Sequence, residues 1–202
     1  MKNIIFDIGN VLVDWDWLGY CRKLFDDEEV INMLTRAFWV NELWREMDRG
    51  AISQETIHRE LLNVAALSGH EKEMEIAYSR LGECITPFSY PETWIKELQE
   101  KGYRVYFLSN YSTYLIGENP EALDFTKLMD GGIFSCDVKL LKPDLAIYAL
   151  LCERYSLTPS ECLFLDDKPI NVIAAKEFGM HAIVFEGYEK TRPLVDAYLE
   201  EH

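Results

Sequence analysis

The chain has 202 residues, 49% hydrophobic and 27% charged, enough for one sizeable core or one core plus a small insert. Thirty-five acidic residues against 20 lysines and arginines leave a net charge of −15. So acidic a surface repels phosphate backbones, which excludes nucleic acid and anionic membranes as partners, and an anionic substrate would need a local cation or a well-placed lysine.

The first predicted element is a strand at Ile4-Ile5-Phe6, which runs into Asp7 and then breaks at Gly9-Asn10. Residues 15–88 read as helical throughout, with no strand candidate. The spans are Trp15–Phe25, Glu28–Trp39, Asn41–Met47, Ser53–Ala66 and His70–Leu81. Trp15, Trp17, Tyr20, Phe25, Phe38, Trp39 and Trp44 crowd this stretch; they predict a small helical core, some of which could line a pocket. A helix follows from Pro91 to Lys101, opened by proline and stopped at Gly102. The second strand is Val105–Leu108 and ends in Ser109-Asn110. After "KLLKPD", with Lys142 ahead of Pro143, a helix runs from Asp144 to Tyr155. The third strand, Cys162–Leu165, ends in Asp166-Asp167. A helix over Ile170–Phe178 stops at Gly179, and a fourth strand covers Ala182–Phe185.

The apolar runs are continuous rather than alternating, as strands covered on both faces require. Strands separated by helices imply βαβ crossovers. The expected fold class is therefore α/β: a doubly wound, Rossmann-like parallel sheet with an inserted helical cap, divided into 1–14 and 89–202 as catalytic core and 15–88 as cap. An insert leaving the sheet just after Asp7 would lie over the strand ends as a lid. The five cysteines form no C-x-x-C pair and read as reduced, buried thiols. The four histidines lack metal-ligand spacing. With no signal-peptide pattern and no run of membrane-spanning length, the reading is a cytoplasmic protein, by default a monomer.

Ligands of open α/β sheets sit beyond the carboxyl ends of the strands, so Asp7, Ser109-Asn110 and Asp166-Asp167 should converge there. Taken singly, each has a plainer reading as a turn former, helix cap or loop residue. Together with Lys142 they suggest a site. A strand-tip carboxylate can be a nucleophile or a metal ligand. Asp7, Asp166 and Asp167 could hold Mg²⁺, and Lys142 could neutralise charge on a phosphoryl group in transfer.

The pieces "IIFDIGNVLVD", "YFLSN", "LKPD" and "LFLDD", in that order, resemble the haloacid dehalogenase-like hydrolase superfamily. Within it the likeness is greatest to bacterial sugar-1-phosphate phosphatases, those for α-D-glucose 1-phosphate above all, and more distant to the phosphatase domain of soluble epoxide hydrolase. The resemblance implies a Mg²⁺-dependent phosphomonoesterase acting on a small phosphorylated metabolite such as a sugar phosphate. Asp7 would attack phosphorus and carry an aspartyl-phosphate. Ser109 and Asn110 would bind phosphate oxygens, and Lys142 would hold nucleophile and phosphate together. Mg²⁺ would be ligated by Asp7, the Gly9 backbone carbonyl and Asp167, with Asp166 behind them or as the alternative ligand. Asn171 would support the site.

The family pattern has an aspartate two residues after the nucleophile, where this chain has Gly9. Glycine keeps the carbonyl but cannot transfer a proton. Either the substrate has a good leaving group or another acid substitutes, with Asp14 and Asp16 nearest in sequence. Two other readings compete: a metal-independent dehalogenase of the same fold, disfavoured because paired acids without a cation repel, and a non-catalytic ligand-binding protein.

Overall fold

Every residue of the first apolar run is buried, because it becomes the middle strand of a parallel sheet. The computed structural model describes residues 1–39 and 42–201. In chain order the elements are β1 (Asn3–Phe6), β2 (Val13–Trp15), α1 (Trp17–Leu24), α2 (Glu28–Trp39), α3 (Leu43–Arg49), α4 (Gln54–Ala66), α5 (Glu71–Ser79), β3 (Ile85–Pro87), α6 (Pro91–Glu100), β4 (Arg104–Ser109), α7 (Thr113–Glu118), β5 (Gly131–Phe134), α8 (Ser135–Val138), α9 (Leu145–Tyr155), β6 (Cys162–Asp166), α10 (Pro169–Glu177), β7 (His181–Val184) and α11 (Tyr188–Glu201). The main sheet has the order β5-β4-β1-β6-β7, and all its pairings are parallel. This is the doubly wound α/β class expected from the sequence.

The register sets the site. Phe6 is level with Phe107 on one side and Leu165 on the other, so the residues following them leave the sheet side by side. Alternate residues of β1 feed two cores. Ile4 and Phe6 join Val105, Leu163, Trp94 and Leu98 on one face, with Phe6 edge-on to Trp94 at 4.8 Å. Ile5 joins Phe164, Tyr148, Leu151 and Ala175 on the other. The first core continues without a break into the helical segment through Trp17, Leu34, Phe38 and Leu61.

The helical stretch differs from expectation at its edges. Val13–Trp15 and Ile85–Pro87 are strands that pair antiparallel as a two-stranded ribbon, so the helices α1–α5 are carried on a stem. Three-residue strands, one ending in proline, leave no periodic run to detect. Trp15 is thus a strand residue, and α1 starts at Trp17 because Asp16 caps it, accepting from the Gly19 amide at 2.8 Å. The helix expected over Asn41–Met47 is Leu43–Arg49, Asn41 lying outside the described residues. That expected over His70–Leu81 ends at Ser79, before a short 3-10 turn. Asp144 caps α9 by accepting from the Ala146 amide at 2.9 Å.

A fifth sheet strand, β5, was missed in the sequence because it opens Gly-Gly, poor strand formers. The glycines are needed there. A Cβ on Gly132 would lie 2.3 Å from the Phe107 ring, and one on Gly131 would meet the Tyr155 ring at 2.5 Å. Tyr155 bonds both the amide and carbonyl of Gly132 at 2.9 Å. Gly132→Val is expected to destabilise the fold by about 1–3 kcal/mol through overpacking. Urea denaturation checks this, and an unchanged midpoint refutes it.

All five cysteines are free and buried. No helix among the described residues is long and apolar enough to cross a membrane.

Candidate active site

The tip of β1 is a tight turn that aims one carboxylate. The amides of Val11, Leu12 and Val13 all donate to the Ile8 carbonyl, and Asn10 takes a left-handed conformation at φ 56°. Asp7 is buried. Its Oδ1 accepts from the Ile8 amide at 2.7 Å and from the Ser109 hydroxyl at 2.8 Å, and faces the Lys142 ammonium at 2.8 Å. Its Oδ2 has no hydrogen-bond partner among the described residues.

Lys142 sits between two carboxylates, 2.8 Å from Asp7 and 2.6 Å from Asp166, with the Phe164 ring 5.4 Å away. Burial works against its charge, but Asp166 and Asp7 outweigh that and hold its pKa above the usual lysine value. Its backbone is clamped by Asn110. The Asn110 amide donates to the Lys142 carbonyl at 3.0 Å, and its oxygen accepts from the Lys142 amide at 2.9 Å. One Asn110 N–H remains for a ligand.

The two acids at the end of β6 are not equivalent. Asp166 is fully buried, and both its oxygens are taken. Oδ1 accepts from the Lys168 amide at 2.8 Å and from Asn171 at 3.0 Å, while Oδ2 accepts from Asn171 at 3.0 Å and from Lys142 at 2.6 Å. Asp167 is partly exposed and lines the pocket, its Oδ2 accepting from the Asn10 side-chain Nδ2 at 3.1 Å. Asp7, Asp166 and Asp167 each bring a carboxylate oxygen within 4.8 Å of the others. An all-oxygen set of this kind suits a hard divalent cation. Asp167 and Asp7 have the freer oxygens, whereas Asp166 is committed to Lys142 and Asn171.

Burial pushes the Asp7 carboxyl up to about 6, against the pull of Lys142, with Asp166 adding to the rise. A second acid in the pocket, Asp48 at the end of α3, is pushed up to about 7, chiefly by burial and against the pull of Lys168. Neither acid proposed nearest in sequence reaches the pocket. Asp16 is exposed and spent on its helix cap, and Asp14 is exposed on β2.

The pocket holds about 190 Å³ and opens between the strand tips and the helical segment. Asp7, Gly9, Ser109, Asn110, Lys142 and Asp167 all line it, as does Asn171. Of the aromatic residues in the helical stretch, Trp15 and Trp44 reach it, packed edge-to-face at 4.9 Å. Trp17 and Phe38 are core. Asp48, Lys168, Asn10 and Tyr111 also line it, and the sequence reading assigned no site role to Asp48, Lys168 or Asn10. The Gly-Asn turn was a signal for Asn10, but nothing local marks Asp48.

Fold and site together define an α/β protein with a buried strand-tip carboxylate at the floor of a pocket lined by lysine, serine, asparagine and a second acid. Residues 1–179 match the haloacid dehalogenase-like hydrolase family, and the chain belongs to it. A sesquiterpene phosphatase of Aspergillus oryzae is 28% identical over 180 residues, 89% of this chain and 87% of that protein. A D-ribitol-5-phosphate phosphatase of Bacteroides thetaiotaomicron is 26% identical over 193 residues, covering 89% of each. A solved structure of a haloacid dehalogenase family enzyme from B. thetaiotaomicron, in complex with magnesium and inorganic phosphate, superposes with a TM-score of 0.73 at 21% identity, over 91% of this chain and 93% of the other. Haloacid dehalogenases are also among the matches.

Proposed function

We propose that this hydrolase is a Mg²⁺-dependent phosphomonoesterase for a small phosphorylated metabolite, most simply a sugar phosphate, working through an aspartyl-phosphate on Asp7. Residues 15–88 act as its cap, over a core of 1–14 and 89–202. The observation that carries the reading is the single pocket in which Asp7, with Oδ2 unengaged, meets Lys142 on one side and Asp167 on the other.

Charge supports it. The pocket and its floor hold three carboxylates, those of Asp7, Asp166 and Asp167, and the Asp48 carboxyl, against the ammonium groups of Lys142 and Lys168. A phosphate dianion would be repelled unless a cation joins them. Asp7, Asp167 and the Gly9 carbonyl would hold that cation. When bound, Mg²⁺ supplies positive charge against the phosphoryl oxygens. Asp7 attacks phosphorus. The Ser109 hydroxyl and Lys142 hold its carboxylate at the attacking angle, and Lys142 neutralises charge on the phosphoryl oxygens. Asp166 and Asn171 fix Lys142 in turn. The paired acids weigh against the metal-free dehalogenase reading, in which they would only repel.

A pocket of about 190 Å³ suits a compact substrate. Trp15, Trp44 and Tyr111 give the lining apolar ring surface, suited to the apolar side of a sugar or a short alkyl chain. The relatives that act on a sesquiterpene and on D-ribitol 5-phosphate make both chemistries worth testing. The test is phosphate release from sugar phosphates, prenyl phosphates and nucleotides, with Mg²⁺ and with EDTA, beside chloride release from 2-chloropropionate. We expect hydrolysis of at least one phosphomonoester, lost by about 10²-fold or more in EDTA and restored by Mg²⁺. Chloride release that persists in EDTA would make it a dehalogenase instead.

A further inference from the structure

We propose that Asp48, from the helical segment, is the general acid and base of the reaction, filling the role left vacant at Gly9. The inference rests on the phosphatase reading above.

Asp48 lines the same pocket as Asp7, Gly9 and Lys142, yet is only 8% exposed. It forms no ion pair among the described residues, and the Trp44 indole donates to its carboxylate. A buried acid with a purely structural role is tied into a salt bridge or a set of backbone amides. Asp166, in this same protein, is such an acid. Asp48 instead stands at the wall of the cavity where substrate must lie.

Its position is held by the core rather than left to a loose lid. The Ser135 hydroxyl, at the start of α8 just past β5, donates to the Asp48 carbonyl at 2.6 Å while accepting from the Tyr111 amide at 2.9 Å. Two residues on, Gly50 ends α3 in a left-handed conformation at φ 63°, and its carbonyl accepts from the Lys139 ammonium. Both ends of the Asp48-Arg49-Gly50 turn are thus clamped to the sheet side of the molecule. Meanwhile the space above Gly9 is open. A Cβ built there meets nothing within 4 Å, so the usual carboxylate is missing from a place with room for it.

The surroundings suit proton transfer near neutrality. Burial raises the Asp48 carboxyl to about 7, and Asp7 adds to the rise. Lys168, the Trp44 indole and Lys142 pull it back. Its place in the last turn of α3, at the negative end of the helix dipole, also disfavours the charged form. The other titratable groups facing it, the Tyr111 phenol and the Cys136 thiol, are held neutral by their own burial. A carboxyl poised this way can give a proton and take it back.

In the first step Asp7 forms a bond to phosphorus and the P–O bond to the leaving group breaks. The leaving oxygen keeps the electron pair and takes the Asp48 proton. In the second step Asp48, now a carboxylate, takes a proton from water as the water oxygen attacks phosphorus. The P–O bond to Asp7 breaks, its pair returns to the Asp7 carboxylate, and Asp48 ends protonated.

The test uses the full-length protein with Mg²⁺, an alkyl phosphomonoester and 4-nitrophenyl phosphate. Asp48→Asn is expected to lower kcat on the alkyl ester by about 10²–10³-fold with KM changed less than about threefold. With 4-nitrophenyl phosphate, whose leaving group needs no proton, the variant should give a burst of nitrophenolate equal to the enzyme present. The phosphoryl group should then stay on Asp7, visible by mass spectrometry. Asp48→Glu should recover part of kcat, and Gly9→Asp added to Asp48→Asn should recover turnover. An Asp48→Asn protein that keeps kcat within threefold, or loses only KM, or shows neither burst nor adduct, overturns the assignment while leaving the phosphatase reading intact. Wild-type protein inert toward every phosphomonoester removes both. If Asp48→Asn does not fold, Gly9→Asp in the wild-type background decides: no gain on alkyl esters agrees with an acid already in place, and a gain of 10-fold or more contradicts it.

Discussion

Asp7→Asn is expected to abolish turnover, by about 10⁴-fold or more, and at the same time to make the metal-free protein harder to unfold. The amide fills the same volume and its oxygen can still accept from the Ile8 amide and the Ser109 hydroxyl, so the turn is kept. What it removes is a charge that the fold disfavours. Burial lifts the Asp7 carboxyl to about 6 in spite of Lys142. A carboxyl whose folded pKa lies above its unfolded value of about 4 stabilises the fold fully below that unfolded value. It loses this contribution as pH rises through the folded pKa. In EDTA the wild type therefore gives up stability between about pH 4 and pH 6, and the asparagine protein does not. At pH 8 the variant should gain about 1–3 kcal/mol, and at pH 4 the difference should vanish. Urea titrations of both proteins at the two pH values measure it. A variant less stable than wild type at pH 8 would mean that Asp7 is a structural ion-pair partner, and retained activity would remove it as nucleophile.

Lys142→Met should do the reverse, lowering both activity and stability. The methionine keeps most of the volume but leaves Asp7 and Asp166 facing each other without their shared cation, both of them buried. Breaking a buried pair from one side costs about 3–5 kcal/mol, because a charge is left uncompensated. Protonation of one carboxyl relieves part of that, so the loss should be larger at pH 8 than at pH 5. Activity should fall by about 10³-fold or more, since both the aim of Asp7 and the charge on the phosphoryl group depend on this ammonium. Lys142→Arg should not restore it, as the planar guanidinium is wider than the point charge seated between two carboxylates. Thermal unfolding across pH, beside phosphate release, checks both. A Lys142→Met protein as stable as wild type at pH 8 would show that the two carboxylates share a proton already.

Much of the site could be read from the chain because each main piece leaves a strand. Asp7, Ser109-Asn110 and Asp166-Asp167 follow continuous apolar runs, and in a parallel sheet such runs end on one edge. The register then brings them level, Phe6 between Phe107 and Leu165. The unequal roles of Asp166 and Asp167 could not be read. They differ only because Lys142, 24 residues back along the chain, and Asn171, five residues on, both close on the first and leave the second to the pocket. The ribbon of β2 and β3 escaped for a like reason. Each half is too short to announce itself, and each exists as a strand through the other.

The amino-acid order by itself determined the α/β class, the helical insertion after the first strand, and the tips that carry carboxylates. These depend on local periodicity and on residues adjacent to it. Only the tertiary structure decided which acids line the pocket. Asp48 is one charged residue in an ordinary helix until Ser135 and Lys139, more than 80 residues away, pin its turn to the core and shut it from water. Burial and long-range contacts set the chemistry of a carboxyl, and neither is a property of neighbours along the chain.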